Sequence, residues 1–361
     1  MKFRNLGHNT GLKVSEIAFG TWLNVGGSSE ELTLGSPLLS NDKQSEAVLK
    51  EAIDQEILFF DTAPGYSKGQ AEVFLGNFLK DYNRSDYVVS TKVFFPTNFN
   101  VNRRGLSKKH IKASIVESLD RLQMDYVDLY YCHRFDYYTP LEETIKAMNE
   151  LIDEGTILHW GTSMWLAHEL ERAYGIALAQ GYEPPVCEQP NYSLLERFVE
   201  LEHWHTLHYT GMRLTPYHPL AEGLLTGKYN QGGIPTESRL SKVDHQRTKE
   251  LLDQYLPKLQ LLEELANSEE ITMAQLALAW VLDKPEVSSC ITGASKPEHV
   301  RSNAEASELT LSPDIFTRVD EIMDNEPKIH PNYQTFNYKA FMRALDKHDG
   351  RHPSWKKPAS N

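Results

Sequence analysis

Four residues of types suited to moving a proton stand at or just beyond the ends of apolar runs: Asp61, Tyr66, Lys92 and His133. Asp61 closes Ile57-Leu58-Phe59-Phe60, a short run of the kind buried inside a parallel sheet, and Tyr66 follows five residues later in a polar loop. A carboxylate at the tip of an apolar strand is costly without a partner. Lys92, ending the run Tyr87–Lys92, can supply one and would be held charged by it. A phenol is a weak acid in water, with a pKa of about 10, and a neighbouring ammonium is expected to lower that value. His133 ends Val127–His133 and can donate a hydrogen bond to a carbonyl oxygen. Together the four could deliver a proton to oxygen while something else adds to carbon, which is the proton half of carbonyl reduction. Singly, each has an ordinary explanation: a turn for Asp61, packing for Tyr66, reach to solvent for Lys92, a satisfied structural histidine for His133. Their joint occurrence at successive strand ends points to an active site.

Bringing these ends to one rim requires strands that all run the same way. The apolar runs Ile17–Gly20, Ile57–Phe60, Tyr87–Lys92, Val127–His133, Ile157–Ser163, Pro185–Gln189, Met212–Tyr217 and Ser288–Gly293 alternate with helical patterns at 42–55, 71–79, 107–122, 166–180, 196–208, 274–282 and 314–324. Thr139-Pro140-Leu141-Glu142 reads as a capping box opening a further helix. Eight such units predict a single α/β domain over 1–361, a (β/α)8 TIM barrel. Lys2–Leu6 and Leu12–Ser15 predict an N-terminal β-hairpin before it. Residues 24–41 read as a loop, and Gly223 to Ser241 as a long loop after strand 7 on the active-site face. The tail 326–361 is expected to be irregular and to pack over the barrel mouth. No GxGxxG follows the first strand, which argues against a Rossmann domain.

Composition narrows the function. The chain has 361 residues, 40% hydrophobic and 24% charged, with a formal net charge of −13. So acidic a surface argues against nucleic acid as a partner, and the lack of any 18-residue apolar run argues against membrane insertion. Cys132, Cys187 and Cys290 lie in apolar runs without CxxC spacing, which predicts reduced packing residues in a cytoplasmic protein. His203, His205 and His208 share one predicted helix, but no carboxylate or cysteine completes a metal set, so they read as surface histidines and no metal is expected.

A series of motifs in order along the chain resembles the aldo-keto reductases, above all the branch containing the voltage-gated potassium channel β subunits. The pieces are Arg4-Asn5-Leu6-Gly7, Gly20-Thr21-Trp22, Phe60-Asp61-Thr62-Ala63, Ala71-Glu72-Val73, Thr91-Lys92, Arg104-Gly105-Leu106-Ser107, Arg121-Leu122-Gln123, Trp160-Gly161-Thr162-Ser163, Cys187-Glu188-Gln189, Pro219-Leu220-Ala221, Gly227-Lys228-Tyr229 and Gly293-Ala294-Ser295. The resemblance implies a barrel that binds NADPH across its strand ends and passes hydride to an aldehyde or ketone, with Tyr66 as proton donor. Carried over by motif, Ser163 and Gln189 hold the nicotinamide amide, Tyr217 stacks on the ring, and Gly20, Thr21, Trp22 and Asp61 line the same end. Pro219, Leu220, Ala221, Lys228 and Arg239 hold the pyrophosphate. Gly293, Ser295, His299 and Asn303 meet the adenosine end, where Ser295 and Lys296 could read a 2′-phosphate. It also implies a homo-oligomer, such as a tetramer.

Two departures bear on function. Channel β subunits commonly carry Asn at the His133 position and Trp-Ser where this chain has Tyr217-His218. His133 leans toward an active reductase; His218 puts the local phosphate contacts in question. Two other classes stay open: a regulatory subunit that senses NADPH with little turnover, and a lyase using Lys92 as a Schiff-base amine.

Overall fold

The computed structural model describes residues 1–22, 25, 42–96, 98, 100–236, 238–242 and 246–328, without the side chains of Arg239, Lys242 and Arg247. The backbone divides after Asn325: Met1–Asn325 holds every element below, and Glu326–Asn361 lies almost wholly outside the described residues. The expected loop at 24–41 also lies outside them, apart from Val25, as does the placement of the tail.

Strands β1 (Phe3–Asn5) and β2 (Lys13–Ser15) pair antiparallel as the expected hairpin. Eight parallel strands follow: β3 (Ile17–Gly20), β4 (Phe59–Asp61), β5 (Val88–Val93), β6 (Val127–Cys132), β7 (Ile157–Ser163), β8 (Cys187–Gln189), β9 (Arg213–Leu214) and β10 (Cys290–Thr292), in the lateral order β10-β3-β4-β5-β6-β7-β8-β9. Parallel bridges from Leu214 to Val287 and from Tyr217 to Ile291 join the last strand of that row to the first. The sheet therefore closes on itself as a (β/α)8 barrel.

Throughout β3 to β5, and from Leu129 on in β6, side chains alternate between two cores. Ala18, Phe59, Val88, Leu129 and Tyr131 fill the barrel interior, whereas Phe19, Phe60, Val89, Val93, Tyr130 and Cys132 face the helical layer. Continuing that alternation by two residues at a time turns Asp61, Lys92 and His133 inward at the C-terminal rim.

The helices are α1 (Asp42–Asp54), α2 (Gln70–Leu79), α3 (Lys108–Leu122), α4 (Leu141–Asp153), α5 (Ala167–Gln180), α6 (Phe198–Thr210), α7 (Arg239–Lys242), α8 (Gln246–Ser268), α9 (Met273–Leu282), α10 (Pro297–Glu305) and α11 (Pro313–Met323). Helices α7, α8 and α10 are not among those expected, and α7 opens inside the stretch 223–241 expected as a loop. Pro257 lies inside α8 and interrupts its helical signal, and α10 is a nine-residue helix opened by Pro297. The predicted capping box at Thr139 does not form. The Thr139 hydroxyl donates instead to Asp136 Oδ2 at 2.7 Å, and Pro140 takes the N-cap position without a side-chain bond. The helix starts one residue later than the box requires, which leaves Thr139 outside the cap position, too far back for its oxygen to accept from the first-turn N–H groups. His203 is buried, with Nε2 2.8 Å from the Trp165 carbonyl, so it is not the surface histidine expected; His205 and His208 are exposed. The three cysteines are buried and free. Among the described residues no helix is long and apolar enough to cross a membrane.

The hairpin lies across the N-terminal end of the barrel. Leu6 and Val14 join the interior cluster. Polar contacts radiate from it to the beginnings of four strands. Arg4 Nη1 donates to Val287 O at 2.9 Å, His8 N to Gly211 O at 2.7 Å and Asn9 Nδ2 to Pro185 O at 3.3 Å. Thr10 Oγ1 lies 3.0 Å from His159 Nε2.

Candidate active site

Lys92 is wholly buried, and its Nζ donates to Asp61 Oδ2 at 2.5 Å and to Thr62 O at 2.9 Å. The other Asp61 oxygen accepts from Ser90 Oγ at 2.7 Å and Gln189 Nε2 at 3.1 Å. A buried ion pair repays its desolvation only when the remaining lone pairs are satisfied, and here strands β4, β5 and β8 contribute the necessary groups. Tyr66 lies against this pair, with its ring centroid 5.0 Å from Lys92 Nζ, 6.3 Å from the His133 ring and 6.4 Å from Trp22. Just past Tyr66, Ser67 and Lys68 take φ values of 47° and 53°. Met164, next to Ser163, has φ 58°, and His218, Ala221 and Glu222 have φ 55°, 46° and 57°. Non-glycine residues in the left-handed region are strained, and these six lie in the loops that follow the strand ends.

The electrostatics correct one expectation. Burial drives the Tyr66 pKa well above its ordinary value, the Asp61 carboxylate adds to that rise, and Arg134 opposes it. The Lys92 ammonium was expected to lower it, but that charge is balanced by Asp61 at contact distance, so burial decides the direction. Burial likewise pulls the Lys92 pKa down, against the attraction of Asp61. His133 is lowered well below the usual imidazole value by burial, with the cations Lys92 and Arg134 adding to the effect, and is neutral near pH 7.

That last shift has a sign that can be checked. The unfolded imidazole titrates near about 6.5, so between that value and the lower folded one the unfolded chain binds the extra proton. Stability from this group is complete above about pH 6.5 and falls as pH drops through the window. His133→Asn should therefore shallow the fall in urea midpoint between about pH 7 and 5. Equal slopes in the two proteins would remove His133 as a contributor.

A match to the model of the Aldo/keto reductase family spans residues 16–324. The chain belongs to that family. Two relatives, each named "Probable voltage-gated potassium channel subunit beta", come from Arabidopsis thaliana and Oryza sativa subsp. japonica. Each is 38% identical over 341 residues, covering 92% of this chain and 100% of the relative.

In this aldo/keto reductase family member, the residues expected at a nicotinamide end form a connected set. Ser163 Oγ donates to Gln189 O at 2.9 Å, and Gln189 Nε2 reaches Asp61. Thr21 is buried, and its N–H and hydroxyl donate to Asp61 O at 2.9 and 3.2 Å, so it fixes the Asp61 main chain. Gly20 is where β3 and β10 approach: a Cβ there would stand 2.8 Å from Ile291 Cγ2. Trp22 stacks on His218 at 5.5 Å, and Tyr217 donates its hydroxyl to Met164 Sδ at 3.3 Å.

The residues expected at the phosphates and adenosine are looser. Pro219, Leu220 and Ala221 form a turn closed by Ala221 N donating to His218 O at 2.8 Å. Lys228 Nζ lies at that turn, 2.7 Å from where a Cβ on Gly223 would be. Glu222 brings a carboxylate to the same turn, 3.7 Å from His218 Nδ1. Desolvation lowers the His299 pKa against the pull of Glu298, with Lys296 and Lys228 adding to the fall, so two loops bring cations together here. Asn303 is buried, Ser295 half-buried and Gly293 exposed. The Arg239 side chain lies outside the described residues.

Sequence reasoning missed Ser90, Thr62 and Arg134. Ser90 was findable, because it sits two residues before Lys92 on the inward face of β5.

Proposed function

We propose that this protein is an NADPH-dependent oxidoreductase that reduces an aldehyde or ketone to an alcohol. The observation that carries this is the convergence of Tyr66, the buried Asp61–Lys92 pair and neutral His133 at one rim of the barrel. When bound, NADPH supplies the hydride. Neutral His133 donates to the substrate carbonyl oxygen and orients it. The Tyr66 hydroxyl gives that oxygen its proton, and Asp61 and Lys92 hold the charges that surround it in fixed positions. A phenol with a raised pKa keeps its proton until charge develops on the substrate oxygen.

For the cofactor, the Ser163 hydroxyl and Gln189 amide suit a carboxamide, and the half-buried ring of Tyr217 suits stacking on a flat ring. The turn at Pro219–Ala221 with Lys228 suits a diphosphate, and Ser295 with Lys296, at the start of α10, suits a 2′-phosphate. Free, buried cysteines support a cytoplasmic setting.

The relatives' printed names favour a second reading: an NADPH-binding, redox-sensing subunit of channel β type with little turnover. The deciding experiment follows NADPH absorbance with a panel of aldehydes, with NADH as control, beside NADPH binding by protein fluorescence. Turnover faster with NADPH than NADH is the expected result. Tight binding without turnover would transfer the conclusion to the sensing subunit, and absence of binding would overturn both.

A further inference from the structure

Arg134 follows His133 directly, and its position is fixed from two sides. Its Nη1 donates to the His133 carbonyl, and its Cζ lies 5.5 Å from the Phe95 ring centroid. Phe95 in turn meets the His133 ring edge-on at 4.9 Å. Tyr66, His133, Phe95 and Arg134 thus form a chain of neighbouring side chains beside the proposed proton donor.

The guanidinium is half-buried, yet among the described residues it makes no ion pair. The carboxylate nearest in sequence, Asp136, is engaged elsewhere. It accepts from Leu106 N at 2.7 Å, Tyr138 N at 2.9 Å and Thr139 Oγ1 at 2.7 Å. The other cation of the site, Lys92, is balanced by Asp61. A partly desolvated guanidinium with one carbonyl and one ring face for company retains several unused donors arranged as a planar fork. Its charge reaches Tyr66, Lys92, His133 and Tyr217. This is a positive pole beside the place where the carbonyl would sit, in a protein whose net charge of −13 otherwise repels anions.

We propose that Arg134 binds a carboxylate carried by the substrate, so that the preferred substrates are oxo acids whose carbonyl and carboxylate lie several bonds apart. This deepens the reductase reading and rests on it. Phe95 suits the apolar or aromatic spacer between the two groups, since its ring neighbours both the His133 ring and the guanidinium.

The test compares 4-carboxybenzaldehyde with its methyl ester, which differ in charge while sharing the reacting aldehyde. In the wild type the acid should have the larger kcat/KM, by about tenfold to a hundredfold, as expected of a charge-assisted fork. In Arg134→Gln that acid-to-ester ratio should collapse toward one, mainly through KM for the acid, and Arg134→Lys should restore part of it. A merely structural role would lower acid and ester together and leave the ratio unmoved, which would overturn the proposal. So would equal turnover of acid and ester by the wild type. A rise of tenfold or more in the NADPH Kd of Arg134→Gln with an unchanged ratio would assign the charge to the cofactor instead. If neither aldehyde turns over, the reductase reading fails, and calorimetric titration with benzoate decides the anion site by itself. Binding in the wild type that is lost in Arg134→Gln retains that site, and no binding removes it.

Discussion

Tyr66→Phe is expected to lower kcat for aldehyde reduction by about 10²–10⁴-fold, the range for loss of a positioned general acid. The substitution isolates chemistry from fold. The phenyl ring keeps its contacts with Trp22 and His133, at 6.4 and 6.3 Å. The lost hydroxyl makes no hydrogen bond with any described residue, so the urea midpoint should move little. NADPH affinity should also hold, because the residues proposed for the carboxamide and phosphates lie on other loops. The measurement is kcat from NADPH absorbance beside Kd from fluorescence, in wild type and variant. A loss below tenfold with full NADPH binding would take the proton-donor role away from Tyr66.

The second large effect concerns the pair beneath it. Lys92→Met leaves the Asp61 carboxylate 3% exposed, with Ser90 and Gln189 as its donors but no cation. Breaking a buried pair from one side costs about 3–5 kcal/mol. Asp61→Asn leaves the reverse problem, a buried ammonium with only neutral acceptors, the Thr62 carbonyl and the new amide oxygen. The double variant removes both charges and should be more stable than the sum of the two losses predicts, by about 0.5–3 kcal/mol. Chemical denaturation of the four proteins measures this. Strict additivity would mean the two charges are independent despite their 2.5 Å contact.

Much of this site was legible because period two is so informative in a parallel barrel. Phe59 inward and Phe60 outward require Asp61 inward, and the same step carries Lys92 and His133 to the rim. Ser90 lies on that same register and was overlooked only because a serine in a strand attracts no attention. Arg134 was passed over for a different reason. A charge beside a histidine reads as a solvated loop group, and only the third dimension shows that Asp136 has turned to the backbone of Leu106 and Tyr138. The direction of the Tyr66 shift was also out of reach, since it depends on how completely the phenol is buried and on Asp61 balancing Lys92. Among the elements, α8 was hidden by Pro257, and the Thr139 cap was lost because the helix begins one residue later, with Pro140 at the N-cap. Residues far apart in sequence but adjacent across the barrel mouth, such as Trp22 and His218, carry no local signal.

The barrel interior is a packed core, and the hairpin adds a cover over its N-terminal end. With Leu6 and Val14 set into the interior cluster, traffic to the Asp61–Lys92 pair among the described residues passes by the C-terminal rim of the strands. On the proposed reading, the proton that leaves on the product oxygen and the proton that recharges Tyr66 use the same opening. Recharging then has to wait until product has cleared it, so a bulky, slowly departing alcohol would delay the return of the enzyme to its starting protonation state as well as the next substrate.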